Sequence, residues 1–164
     1  MSSMPRHEEG FSLVELLIVV AIILVIAAIA IPSLIRSRIA ANQASAIESL
    51  RVLGTSEVTY AAIYGNGYSA TIAALGPPPA GAIPSTSAAG LIDELLVSGA
   101  KSGYTFTYTP TLLDSTGRYN GYSMWANPQQ VGISGVDFYY EDETHLIRMN
   151  TTAQAGSTDS FVAD

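Results

Sequence analysis

A long apolar run near the start of the chain, interrupted once by a carboxylate, sets what this sequence can become. A short polar head ends at Gly10, and the chain continues Gly10-Phe11-Ser12-Leu13-Val14-Glu15-Leu16-Leu17. Every residue from Leu16 to Ile31 is apolar, and Pro32 closes the run. As a helix, Phe11 to Ile31 would be about 31 Å long, which matches the roughly 30 Å hydrocarbon layer of a bilayer. The run therefore predicts a segment that is membrane-inserted at some stage, with Glu15 inside it.

An acidic side chain in a spanning helix costs about 2.5–3.5 kcal/mol at the helix centre and less towards an end. It calls for a partner, and an amine is the cheapest. Cleavage after Gly10 would create one at Phe11, on the same helix face as Glu15. Between two staggered helices, the amine of one would reach the carboxylate of the other and set their axial register. A competing reading takes Ala28-Ile29-Ala30 as the A-x-A end of a secretory signal, which would release a soluble domain after Ala30. The head is acidic rather than basic, and the apolar core exceeds the usual 7–15 residues, so the first reading is preferred.

The stretch from Gly10 to Val20 resembles the class III signal and N-terminal segment of type IV pilins and the related secretion pseudopilins. The close match runs over about residues 10–40, and Pro32 falls where that family carries a helix-kinking proline. The resemblance implies that a membrane-embedded prepilin peptidase cuts after Gly10 on the cytoplasmic side and N-methylates Phe11, and that Glu15 serves assembly. It implies an α+β, pilin-like fold, in which a long kinked N-terminal helix packs on a C-terminal antiparallel sheet of three or four strands. Two details depart from the family pattern. Glu8 and Glu9 stand where a basic residue is usual, and Arg36 and Arg38 outweigh Arg6 across the run, which by the positive-inside rule favours the opposite orientation. The peptidase needs a cytoplasmic leader, and that requirement takes precedence. A start at Met4 would shorten the leader.

At 164 residues the chain has room for one helical anchor and one small head. Its net charge of −7 gives no electrostatic footprint for nucleic acid. It has no cysteine, so disulfides, zinc ribbons and thiol chemistry are excluded, and the head must be held by packing, an ion or neighbours.

Four regions follow: a leader, 1–10; a transmembrane or filament-core helix, 11–32; an amphipathic half-helix, 33–64; and a head, 65–164. In the half-helix Ile47, Leu50, Leu53, Val58, Ala61 and Tyr64 form the expected buried stripe, with Glu48, Arg51 and Thr55 outside it. Gly54 is expected to permit close packing. Gly65-Asn66-Gly67 is a helix stop. The middle is loop-rich, with a helical turn or two at 70–75, a polyproline-like connector from Gly76 to Gly81, and a short helix at 89–98. Strands are expected at 104–109, 121–127, 136–140 and 145–150, with turns at Asp114–Gly117 and Glu141–Thr144. The tail beyond Asn150 reads as a loosely held surface segment.

Asp137, Glu141, Asp142, Glu143 and His145 gather around one hairpin. The first four are the candidate ligands for Ca2+, known in some pseudopilin heads, although EF-hand spacing is missing and no cofactor is otherwise expected. Tyr60, Tyr64 and Tyr68 read as cover for a core rather than a conducting stripe. Asn150-Thr151-Thr152 matches a glycosylation sequon. His7 and His145 are the only histidines, and no nucleophile, phosphate loop or helical metal pair accompanies them, so no enzyme is expected. The expected function is a structural subunit of a type IV pilus-like filament, held in the inner membrane before assembly. Its partners would be the prepilin peptidase, the inner-membrane assembly machinery and further copies of itself. A major pseudopilin of a type II secretion system is the alternative.

Overall fold

The computed structural model describes residues 10–162; the leader residues read above, Met1 to Glu9, lie outside them. The chain forms two compact units, Met1–Ser37 and Arg38–Asp164. Helix α1, Leu13–Tyr64, begins in the first and ends in the second.

In the first unit the helix starts two residues later than the apolar run, because Ser12 and Glu15 build its N-terminus. From there the apolar side chains face outward: Leu13, Leu17 and Leu24 are all exposed, and none of the most apolar 18-residue window is buried. The helical assignment passes through Pro32 without a break.

In the second unit α1 buries one face against a sheet. The buried residues are Ala46, Ser49, Leu50, Leu53, Gly54, Ser56, Glu57 and Tyr60. Leu50 and Leu53 lie where the sequence places them, but Val58 is 46% exposed while Glu57 is fully buried. Helical geometry decides this: the row through Leu50 and Leu53 continues at three- and four-residue steps to Glu57, Tyr60 and Tyr64, and the five-residue step to Val58 leaves the face. Gly65, at φ 63°, ends the helix where expected. At Gly67, φ 76°, a Cβ would run into the Tyr119 carbonyl, so the stop also seats the chain against the sheet, with Tyr68 N–H donating to Tyr119 O at 2.8 Å.

The loop-rich middle contains a 3-10 turn, Ile72–Leu75, and a short helix α2, Glu94–Val97. Helix α2 is shorter than the expected 89–98 because Asp93 caps it, its carboxylate accepting from Leu96 N–H at 2.7 Å. Six strands follow: β1 Ala100–Lys101, β2 Tyr104–Leu113, β3 Tyr119–Pro128, β4 Phe138–Asp142, β5 Arg148–Asn150 and β6 Ser160–Phe161. They lie in chain order, each antiparallel to the next. This is the expected α+β, pilin-like class, with a larger sheet than three or four strands. Alternation sends Tyr104, Phe106, Tyr122, Met124, Ala126 and Tyr139 into one core with Leu50, Leu53, Leu75 and Leu96. The tail is more firmly held than its composition suggested: Ala155 is buried, its carbonyl accepts from Trp125 Nε1 at 3.0 Å, and the Arg148 guanidinium lies 4.4 Å from the Phe161 ring centroid. Backbone pairing, one carbonyl and contacts from Arg148 and Asn150 do this, none of which shows as a hydropathy pattern.

The altered stripe is testable. Leu50→Ala is expected to destabilise the protein by about 2–5 kcal/mol, while Val58→Ala should stay within about 0.5 kcal/mol of the parent. Denaturant unfolding followed by circular dichroism in detergent checks both.

Candidate functional site

The segment around Gly10 is a helix start. Ser12 is the residue before α1, and Glu15 is its third helical residue. Ser12 N–H donates to Glu15 Oε2 at 3.0 Å, and Val14 N–H donates to Ser12 Oγ at 3.3 Å. Glu15 reaches back as in a capping box, while the Ser12 hydroxyl caps through the N–H of Val14 rather than that of Glu15. The two bonds occupy backbone donors that an α-helix leaves unpaired in its first turn, donors that are costly to leave bare in lipid. The sequence reading treated Glu15 as a charge in search of an amine and missed this local partner. The signal was present as Ser12-x-x-Glu15 directly before an apolar run. Gly10 and Phe11 precede the helix; Phe11 is 84% exposed, and a Cβ on Gly10 would meet nothing within 4 Å. The fold of this chain does not itself require glycine at position 10.

The acidic hairpin resolves into separate roles. Asp137 Oδ2 accepts from Gln43 Nε2 at 2.5 Å, and Asp142 Oδ1 accepts from the backbone N–H and hydroxyl of Thr144. Glu143 lies near Gly121. Glu141 is not on a turn, as expected, but inside β4, where alternation points it with Tyr139 towards α1. It is 2% exposed, and its Oε1 sits where a Cβ of Gly54 would be. The absent side chain at Gly54 is thus the socket for a carboxyl group. His145 Nδ1 lies 3.5 Å from Oε1 and 3.2 Å from the Tyr122 hydroxyl, whereas Glu141 Oε2 has no hydrogen-bond partner among the described residues. Among the described residues no three His, Cys, Asp or Glu side chains converge to hold a metal ion.

A second buried carboxyl, Glu57, was hidden within the helix stripe. It accepts from Ser69 N–H at 2.8 Å and Ser69 Oγ at 2.6 Å, while Tyr108 Oη donates to the Ser69 carbonyl at 2.7 Å. These bonds fasten the chain just beyond the Gly65–Gly67 stop. Burial raises the Glu57 carboxyl above its usual range, against the lowering effect of its Ser69 bonds. Burial first, then the Asp142 charge, push Glu141 up to about 8, and Arg51 opposes them. Tyr60 and Tyr64 pack with ring centroids 4.9 Å apart, and Tyr68 packs edge-on against Tyr122 at 4.9 Å. At the sequon, Asn150 Nδ2, the atom that would carry a glycan, donates to Asp159 Oδ1 at 3.1 Å.

These carboxyls give a signed pH dependence. Between the usual carboxylate value and about 8, the folded head holds a proton on Glu141 that the unfolded chain has released. Stability is therefore full at low pH within this window and falls as pH rises through it. The melting temperature should drop between about pH 5 and pH 8, and Glu141→Gln should flatten the drop. Gly54→Ala, which sets a methyl on the Glu141 carboxyl, should cost about 1–3 kcal/mol; thermal unfolding across pH reads both variants.

Against known families, the model described as the prokaryotic N-terminal methylation motif matches residues 5–31. Comparison with curated proteins and with solved structures finds no significant match. The matched span contains Gly10, Phe11, the Ser12–Glu15 helix start and the exposed apolar helix, and over it this chain carries the prepilin-type signature of type IV pilins and pseudopilins.

Proposed function

We propose that the chain is the structural subunit of a type IV pilus-like filament. The observation that carries this reading is the combination of the methylation motif at residues 5–31 with a helix from Leu13 whose apolar side chains are left uncovered among the described residues. Such a surface needs lipid first and other helices afterwards. A prepilin peptidase trims the inner-membrane precursor after Gly10 and methylates Phe11. Subunits then exchange lipid contacts for helix–helix contacts, apolar segments inside and acidic heads outside. The subunit is structural rather than enzymatic.

Glu15 has two tasks in this scheme. In the uncut chain it caps its own helix. After cleavage the new amine at Phe11 places a positive charge at the positive end of the helix dipole, and the carboxylate one turn on offsets it. Across staggered neighbours, the same pair fixes axial register. A periplasmic pseudopilus built from the same segment is the second reading.

Intact mass and N-terminal sequencing of membrane and sheared surface fractions test the proposal. The expected chain begins with N-methylated Phe11 and occurs in the sheared fraction. Its confinement to the periplasm would favour the pseudopilus, and a chain beginning at Ile31 would make this an exported soluble domain. Glu15→Ala should insert in the membrane normally but give at least tenfold less filament, the change that about 1.4 kcal/mol of lost pairing carries. Normal filament yield from that variant would sink the register role.

A further inference from the structure

Helix α1 and the far end of the sheet enclose a cleft of about 750 Å³, a size typical of small-molecule sites. Its lining lies wholly within the second unit. Val58, Leu146, Phe161 and Val162 form apolar walls, and Glu141 and Ile147 are the most buried of the lining residues. Thr55 and Thr59 face the cleft from the helix. Each hydroxyl has spent its hydrogen one turn back, Thr55 Oγ1 donating to Arg51 O and Thr59 Oγ1 to Thr55 O, both at 2.8 Å. Both therefore offer the cleft lone pairs alone. Glu141 adds a buried acceptor. Its Oε1 fills the Gly54 socket, and its Oε2 is the oxygen left without a partner among the described residues. Buried polar atoms of a native fold are nearly always paired, and an orphan calls for a missing partner.

We propose that this cleft binds a small primary amine with an apolar body, its ammonium group on the Glu141 carboxyl and its hydrocarbon against Val58, Ile147 and Phe161. The polar inventory asks for a donor rather than an acceptor: two hydroxyls with no spare hydrogen and a carboxyl with a bare oxygen. An ammonium group carries three N–H donors and no acceptor. Local charge points the same way. Glu141, Asp142 and Glu143 follow one another in the chain. Arg51, the cation in the lining, stands at the exposed side and also lines a second groove together with Glu48. His145 Nδ1 approaches the carboxyl at Oε1, and the Tyr122 hydroxyl lies against that same nitrogen, which leaves Oε2 for the ligand. Burial, then the Asp142 charge, hold the empty carboxyl at about 8, and an arriving ammonium favours its charged form.

The test uses the full chain in nonionic micelles at about pH 8, where the Glu141 carboxyl is about half ionised. Fluorine NMR follows para-fluorophenethylamine, the alcohol of the same body and para-fluorohydrocinnamate, each against protein-free micelles. The amine should bind about tenfold tighter than the alcohol, and Glu141→Gln should abolish that preference. Val58→Trp fills the cleft from a position that is 46% exposed. It should weaken both ligands while the circular dichroism of the protein stays unchanged. If Glu141→Gln fails to fold, Val58→Trp decides: weakened amine binding upholds the proposal, and unchanged amine binding overturns it. Equal binding of amine and alcohol to the parent would reduce the cleft to an apolar groove. Tighter binding of the carboxylate would make it an anion site for Arg51 and His145. Either result overturns the proposal, as does an amine preference that survives Glu141→Gln or the lack of any binding above the micelle blank.

Discussion

The head is organised around a missing side chain. At Gly54 helix α1 presents bare backbone to β4, and the Glu141 carboxyl fills the space that any other residue would occupy. This close approach lets a sheet with bulky tyrosines lie against a helix whose buried face is narrow. Tyr122 and His145 surround the same carboxyl, so helix, central strand and the turn after β4 meet at one polar point within an apolar core. The arrangement works best when the carboxyl is neutral, because a charge there has little to solvate it. Glu57 is the counterpart further along the helix, but it is satisfied by Ser69 and serves as a latch. One carboxyl spaces the layers, and the other fixes where the chain goes after the helix ends.

Helix α1 thus serves two solvents. Its amphipathic part is selected by a sheet, which demands a stripe and tolerates carboxyl groups only where partners or space exist. Its apolar part, on our proposal, is selected by lipid and by identical helices, which demand apolar residues all round. The one exception, Glu15, is placed where a helix in lipid has a specific deficit, at the bare N–H groups of its first turn. On our proposal, the same residue is an anchor for secondary structure before cleavage and a charge partner after it.

The sequence made the broad plan legible. The apolar run, the Gly65–Gly67 stop and the change to two-residue periodicity after Tyr104 were all readable because each is a local signal. The short strands β1 and β6 were not, because strands of two residues have no periodicity. Glu57 and Glu141 were missed for another reason: choosing a buried stripe by hydrophobicity alone passes over carboxyls that tertiary contacts take in. Strict helical steps from Leu53 lead to Glu57, and alternation from Tyr139 leads to Glu141, so geometry without a hydropathy filter would have found both. The cap formed by Ser12 and Glu15 was visible as well, but the demand for a distant partner for Glu15 obscured the near one.

The sheet runs in chain order, and its two outermost strands are only two residues long. Every strand pairing in the sheet joins strands adjacent in the chain, so the ladder itself is built from local connections. The short borders matter in a different way. A long unpaired strand edge is a template for cross-sheet association, a particular risk if, on our proposal, copies stand side by side at high local concentration. At one border β6 offers only two residues, but at the other β1 pairs with only Tyr104 and Thr105 of the ten-residue β2. On our proposal, where heads crowd together, the side chains along that length of β2 decide whether neighbouring sheets stay apart, and the order of the assembly is left to the helices.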